Sequence, residues 1–217
     1  MLLLFDLDGV LVTDGKGDTR AGREIVRIHP DLDALLQPFD FPVGVLSHRS
    51  RREVLQILDV LQLGSLDPAF IFSANDIAFS SPTPRRIVSL VRHGVRKSRI
   101  LAHLSSRFGI ESHKVAFVDD REENVADMAM AGVGLAVHVP AARLENGRVL
   151  TYAPEELVAA IGAWVDTSPR TKRSVALGRH AFPVNPQMFS GIRMEDRNGE
   201  LFARIRRLRR QLPYIGS

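Results

Sequence analysis

The chain has no cysteine among its 217 residues, which excludes disulfides and thiolate metal ligands outright. That absence fits a reducing compartment. No stretch approaches the roughly 18 uninterrupted apolar residues of a membrane span. The nearest, "MAMAGVGLAVHV", reads as a helix end followed by a strand. The N-terminal apolar run is short, lacks a basic leader and is broken by Asp6, so it does not read as a signal peptide. A cytoplasmic protein without membrane partners is expected. Lysine is scarce too, with four among 29 basic residues. What remains is ordinary for a globular chain: 45% apolar and 25% charged residues, enough for one α/β domain and a small extension.

Short apolar runs alternate with helix-period segments. Leu2–Phe5, Val43–Leu46, Phe70–Phe72, Val115–Val118 and Gly134–Val139 read as buried strands. Between them, Val54, Ile57, Leu58 and Leu61 share one helical face, as do Ile100, Leu101, Leu104 and Phe108 ahead of Gly109. Val125, Met128 and Ala129 do the same before Gly132, and Pro154 opens a helix bearing Leu157, Val158, Ile161 and Trp164. This alternation predicts a doubly wound parallel sheet covered on both faces, with ligands at the carboxyl ends of its strands. The catalytic domain is expected over 1–165 and a basic C-terminal extension over 166–217. "DTSPRTKRS" reads as a linker, "FARIRRLRRQL" as a basic helix, and Asn146-Gly147 and Asn198-Gly199 as tight turns of hairpins. From Trp164 onward 11 Lys/Arg face four Asp/Glu, whereas the preceding residues carry 18 against 21.

Within "LLLFDLDGVLV", Asp6 and Asp8 sit two apart, so both project to one side just past a strand end, and Gly9 lets the chain turn away. Alone, this pair also suits two solvated acids. The geometry recurs: "VGVLSHRS" is an apolar strand ending at Ser47, and "KVAFVDDREEN" one ending at Asp119 and Asp120. Four carboxylates at one sheet edge repel each other unless a cation lies among them. With no soft ligand in the chain, a hard, oxygen-seeking ion such as Mg²⁺ is the natural occupant of Asp6, Asp8, Asp119 and Asp120. Lys97, 22 positions before Asp119, stands ahead of the helix leading into that strand.

"FDLDGVLV", Ser47, Lys97 and "VDDREENVADMAMAGV" together resemble, in order, motifs I to IV of the haloacid dehalogenase (HAD) superfamily of phosphohydrolases, over roughly residues 1–140. The resemblance implies that Asp6 is the nucleophile that becomes an aspartyl-phosphate. It implies that Asp8 is the acid for the leaving group and then the base for water. Ser47 and Lys97 would hold the phosphoryl group, and Asp120 would bind metal. Asp119 replaces a glycine often found there, and Asn124 stands where another aspartate is common. Asp8 argues against the dehalogenase branch, and Val10 in place of threonine against the phosphoprotein type. His48 and Arg49 are candidates for contacting the substrate, or simply begin the next helix.

Only 38 residues separate Asp8 from Ser47 and 49 separate Ser47 from Lys97, too few for a large cap domain. A capless phosphatase is expected, with "TDGKGDTRAG" as an ordinary loop or a flap over the site. Its substrate is a phosphorylated small molecule or an exposed phosphate on a macromolecule. The basic tail leaves two alternatives open. It docks on the acidic body, or it holds nucleic acid for a 3′- or 5′-end phosphatase, though it lacks interleaved aromatics. A non-catalytic HAD-like binding protein is the remaining alternative. His138, in an apolar run, reads as a packed strand residue.

Overall fold

Four consecutive apolar residues make strand β1, Leu2–Phe5, and all four are buried because both faces of the sheet are covered. The chain was studied as a computed structural model, which describes residues 1–14, 23–61, 63–79, 95–167, 172–184 and 188–194. A six-stranded sheet lies at its centre. From one edge to the other it runs β10 (Arg173–Ala176), β7 (Leu135–His138), β6 (Val115–Asp119), β1, β4 (Val43–Leu46) and β5 (Leu66–Phe72), with every neighbouring pair parallel. Pro68 is tolerated inside β5 because that strand is an edge.

The period-two alternation of β1 sorts its side chains onto two cores. Leu3 and Phe5 pack with α1 (Leu32–Leu36), α2 (Arg51–Leu61) and α6 (Pro154–Val165). Leu2 and Leu4 face α3 (Ala74–Phe79), α4 (Ile100–Phe108) and α5 (Glu122–Met130). Each fully buried Leu, Ile, Val or Phe side chain contributes about 1.5–3 kcal/mol. Helix boundaries follow local chemistry. Ser50 and Glu53 form a reciprocal capping box at the start of α2, with Ser50 N and Oγ donating to Glu53 Oε2 at 3.0 and 2.6 Å. Gly109 ends α4 in the left-handed conformation, φ 66°.

The predicted doubly wound α/β sheet is present, and no large cap domain is found among the described residues. Two three-stranded antiparallel sheets stand beside it, of which the sequence pointed only to the hairpin at Asn146-Gly147. One joins β2 (Val12–Asp14), β3 (Arg23–Arg27) and β12 (Phe189–Met194); the other joins β8 (Arg143–Glu145), β9 (Arg148–Thr151) and β11 (His180–Pro183). Asn146-Gly147 closes the β8–β9 hairpin with φ of 49° and 72°. The strands β2 and β3 flank the expected flap, whose residues 15–22 lie outside the described residues.

Beyond residue 165, where the sequence predicts a basic extension, the chain supplies β10, β11 and β12 to the sheets of the body. The stretch read as a linker runs into the sheet: its last two residues, Arg173 and Ser174, begin β10, which is hydrogen-bonded to β7. Its polar composition reflects an edge strand with every residue at least partly exposed. The basic run 201–217 and the Asn198-Gly199 turn lie outside the described residues.

Candidate active site at the carboxyl edge of the central sheet

Strand order reverses at β1: the chain steps outward through β4 and β5, then returns to β6 on the other side. Such a switch point leaves a crevice beyond the carboxyl ends of the strands. The predicted residues converge there. Asp6 extends β1, its N–H donating to Val118 O at 2.8 Å, and is 6% exposed. The chain then folds back sharply, with Gly9 N donating to Val12 O at 2.7 Å. Gly9 is required twice over. Its φ is +76°, and a Cβ there would fall 2.2 Å from Asp120 Oδ2.

Lys97 is wholly buried in a short 3-10 turn, Lys97–Arg99, ahead of α4. Its Nζ donates to Asp119 Oδ2 at 2.7 Å and pairs with Asp6 Oδ1 at 2.8 Å, joining the ends of β1 and β6. Asp119 also accepts from Asn124 Nδ2 at 3.1 and 3.2 Å and from Arg121 N at 2.8 Å. Asn124 thus holds Asp119 by direct hydrogen bonds. Burial disfavours the charge on Lys97, but Asp6 and Asp119 outweigh it and hold the ammonium above its usual range. Asp6 is pushed up to about 7 by burial, with Asp119 and Asp8 adding to that rise against the pull of Lys97. Asp120 is pushed up to about 6, again chiefly by burial and then by Asp119.

Ser47 ends β4, fully buried, with its N–H donating to Phe72 O at 2.9 Å and its Oγ accepting from Arg49 N at 3.1 Å. Asp8 is paired with Arg49. Arg49 Nε donates to both Asp8 oxygens at 2.9 Å, and Arg49 Nη2 to Oδ1 at 2.7 Å. His48 lines the crevice and donates from Nε2 to Val95 O at 3.1 Å. Burial, then the nearby Lys97, lowers its imidazole to about 4, so it is neutral at pH 7. His138, read from sequence as mere packing, donates from Nε2 to Asp120 O at 3.2 Å and fixes that residue's backbone.

The crevice has a volume of about 290 Å³ and is lined by Asp6, Asp8, Gly9, His48, Asp120 and Arg121, with Thr13 of β2 and with Ala141 and Ala142 just ahead of β8. A larger cleft of about 640 Å³ beside β5, between α3 and α4, holds none of the predicted site residues. Asp6, Asp119 and Asp120 can each offer an oxygen within 4.8 Å of the others. Asp8 is not part of that group. The donors are all hard oxygens, and two carboxyls are held above their usual range by crowding and burial. This donor set fits a divalent cation such as Mg²⁺.

No protein-family model matches the chain, and no curated protein is similar to it. Solved structures do resemble it. They include a 3-deoxy-D-manno-octulosonate 8-phosphate phosphatase from Moraxella catarrhalis, crystallised with magnesium, phosphate and KDO (18% identity, TM-score 0.39, 63% of this chain and 66% of that one). A putative HAD-superfamily subfamily III A hydrolase from Legionella pneumophila aligns at 16% identity and TM-score 0.40, over 63% of each chain. The fission yeast RNA polymerase II CTD phosphatase bound to beryllium fluoride aligns at 17% identity and TM-score 0.36, over 56% of this chain and 37% of that one. The alignments thus span less than two thirds of each of these chains.

Proposed function

We propose that this chain is a Mg²⁺-dependent phosphomonoester hydrolase of the HAD type, working through an aspartyl-phosphate on Asp6. One observation carries the reading: a fully buried lysine bridging Asp6 and Asp119 at the sheet's switch point. Buried charges are costly, and an arrangement of this kind is repaid by chemistry rather than by stability.

In the proposed reaction a carboxylate oxygen of Asp6 attacks phosphorus and the bond from phosphorus to the ester oxygen breaks. Asp8 gives that oxygen its proton, releasing an alcohol. Asp8 then takes a proton from water, which attacks the phosphorus of the aspartyl-phosphate and frees inorganic phosphate and Asp6. Lys97 holds a phosphoryl oxygen and offsets charge on Asp6. Ser47 places a hydroxyl beside the same group, and Asp6 and Asp120 would hold the cation. That ion supplies charge neutralisation between carboxylate and phosphate dianion. The crevice, at the small end of ligand pockets, suits a phosphoryl group with a small leaving group or a phosphate projecting from a larger partner.

The test is hydrolysis of p-nitrophenyl phosphate. Purified protein with Mg²⁺ should turn it over, and both Asp6→Asn and chelation of the metal should abolish turnover. Equal rates for the wild type and Asp6→Asn would overturn the reading.

A further inference from the structure

We infer that Arg49 is a phosphate-operated latch on Asp8: it holds that carboxylate in the empty site and exchanges it for a phosphoryl group when substrate arrives. The inference rests on the hydrolase reading above and adds a residue and a conformational step to it.

Arg49 makes three charge-assisted hydrogen bonds to Asp8, all between 2.7 and 2.9 Å, and these engage both carboxylate oxygens. Both oxygens of Asp8 are thus occupied by Arg49 in the empty site. The same planar fork suits phosphate oxygens as well as carboxylate ones, so the two anions compete for one guanidinium. The position makes the exchange short. Arg49 lies two residues after Ser47 and its N–H donates to Ser47 Oγ at 3.1 Å, which places the root of its side chain beside the proposed phosphoryl-binding hydroxyl. Its carbonyl accepts from Ala74 N at 3.0 Å, which pins the backbone, so the exchange is a movement of the side chain. The two groups also differ in exposure. The Arg49 side chain is 15% exposed and that of Asp8 47%, which leaves Asp8 at the mouth, where a leaving group would emerge.

A latch of this kind makes two side chains thermodynamically coupled to one ligand. Removing the Asp8 charge releases Arg49 to phosphate, but only where Arg49 is present. The experiment is calorimetric titration of inorganic phosphate, at saturating Mg²⁺, into the wild type, Asp8→Asn, Arg49→Gln and the double variant. Arg49→Gln should weaken phosphate binding about tenfold or more. Asp8→Asn should tighten it at least about fivefold in the wild-type background and less than about twofold beside Arg49→Gln. An Asp8→Asn effect of equal size in both backgrounds would be plain charge repulsion and would overturn the latch. So would an Arg49→Gln affinity within twofold of wild type.

A second measurement needs no variant to fold: the Arg49 Nε–H resonance of the wild type should shift as phosphate is added, and an unmoved resonance overturns the proposal. Hydrolysis of p-nitrophenyl phosphate, run in parallel, separates the two failures. A wild type that neither hydrolyses the ester nor binds phosphate removes both readings. One that hydrolyses it without coupling between Asp8 and Arg49 removes the latch alone.

Discussion

The site edge and the flanking small sheets both bury polar side chains, but on different terms. At the site edge Lys97, Asp119 and Asn124 are buried, Asp119 accepts hydrogen bonds from both of the others, and Asp6 completes the set. Beside the small sheets, His29 packs edge-on against Tyr152 and Phe182 at centroid distances of 4.6 and 5.6 Å, and among the described residues its Nε2 has no hydrogen-bond partner. Thr151 Oγ1, also fully buried, has none either. The first region keeps its charges and supplies partners for them. The second holds the unpaired His29 and Thr151 as neutral groups, and burial lowers His29 to about 4 accordingly.

The largest expected break in this comparison is Lys97→Met. It leaves Asp6 and Asp119 buried without their shared cation, and loss of one partner of a buried pair costs about 3–5 kcal/mol. The urea midpoint should fall accordingly, Mg²⁺ should restore part of the loss, and turnover should drop at least about a thousandfold. An unchanged midpoint would mean that the site edge is no more dependent on paired charge than the small sheets are.

Gly9→Ala probes the same edge through its backbone. The added Cβ meets Asp120 Oδ2, and the positive φ costs about 1 kcal/mol besides. Mg²⁺ affinity, read from the metal dependence of turnover, should fall about 10–100-fold while the fold persists.

The last effect belongs to the other region and appears only in acid. The unfolded chain protonates His29 near its ordinary 6.5 and the folded chain near 4, so between those values the unfolded state binds more protons. Stability therefore rises with pH through that window, and acidification across it costs up to about 3 kcal/mol. His29→Phe should remove that slope from plots of unfolding free energy against pH. A slope unchanged in the variant would assign the acid sensitivity to other groups.

The same division governs how much was legible in the sequence. Asp6, Ser47 and Asp119 follow apolar runs directly, so a strand and the acid or hydroxyl at its end can be read together. The runs at β1 and β4 match the observed strands, and those at β6 and β7 come within a residue at each end. β5 begins four residues earlier than predicted because its outer half is partly exposed and contains Pro68. The small sheets left one local trace, the Asn146-Gly147 turn between β8 and β9; β12 pairs with β3 and β11 with β9, partners far apart in sequence whose pairing no periodicity encodes. The Arg49–Asp8 clamp was hidden for the same reason, since it depends on two loops meeting across 41 residues. His138 carried a signal that could have been used. Its strand pairs in register with the one ending at Asp119, which puts its ring beside the acids.

The central claim is that Asp6 accepts the phosphoryl group. Protein turning over p-nitrophenyl phosphate with Mg²⁺ can be quenched, reduced with borohydride and digested, and the peptide spanning residues 1–20 read by mass spectrometry. An acyl phosphate at Asp6 reduces to homoserine, so conversion at position 6 and not at position 8 is the predicted result. Conversion at position 8 alone, or steady turnover with no conversion at either position, would contradict the account.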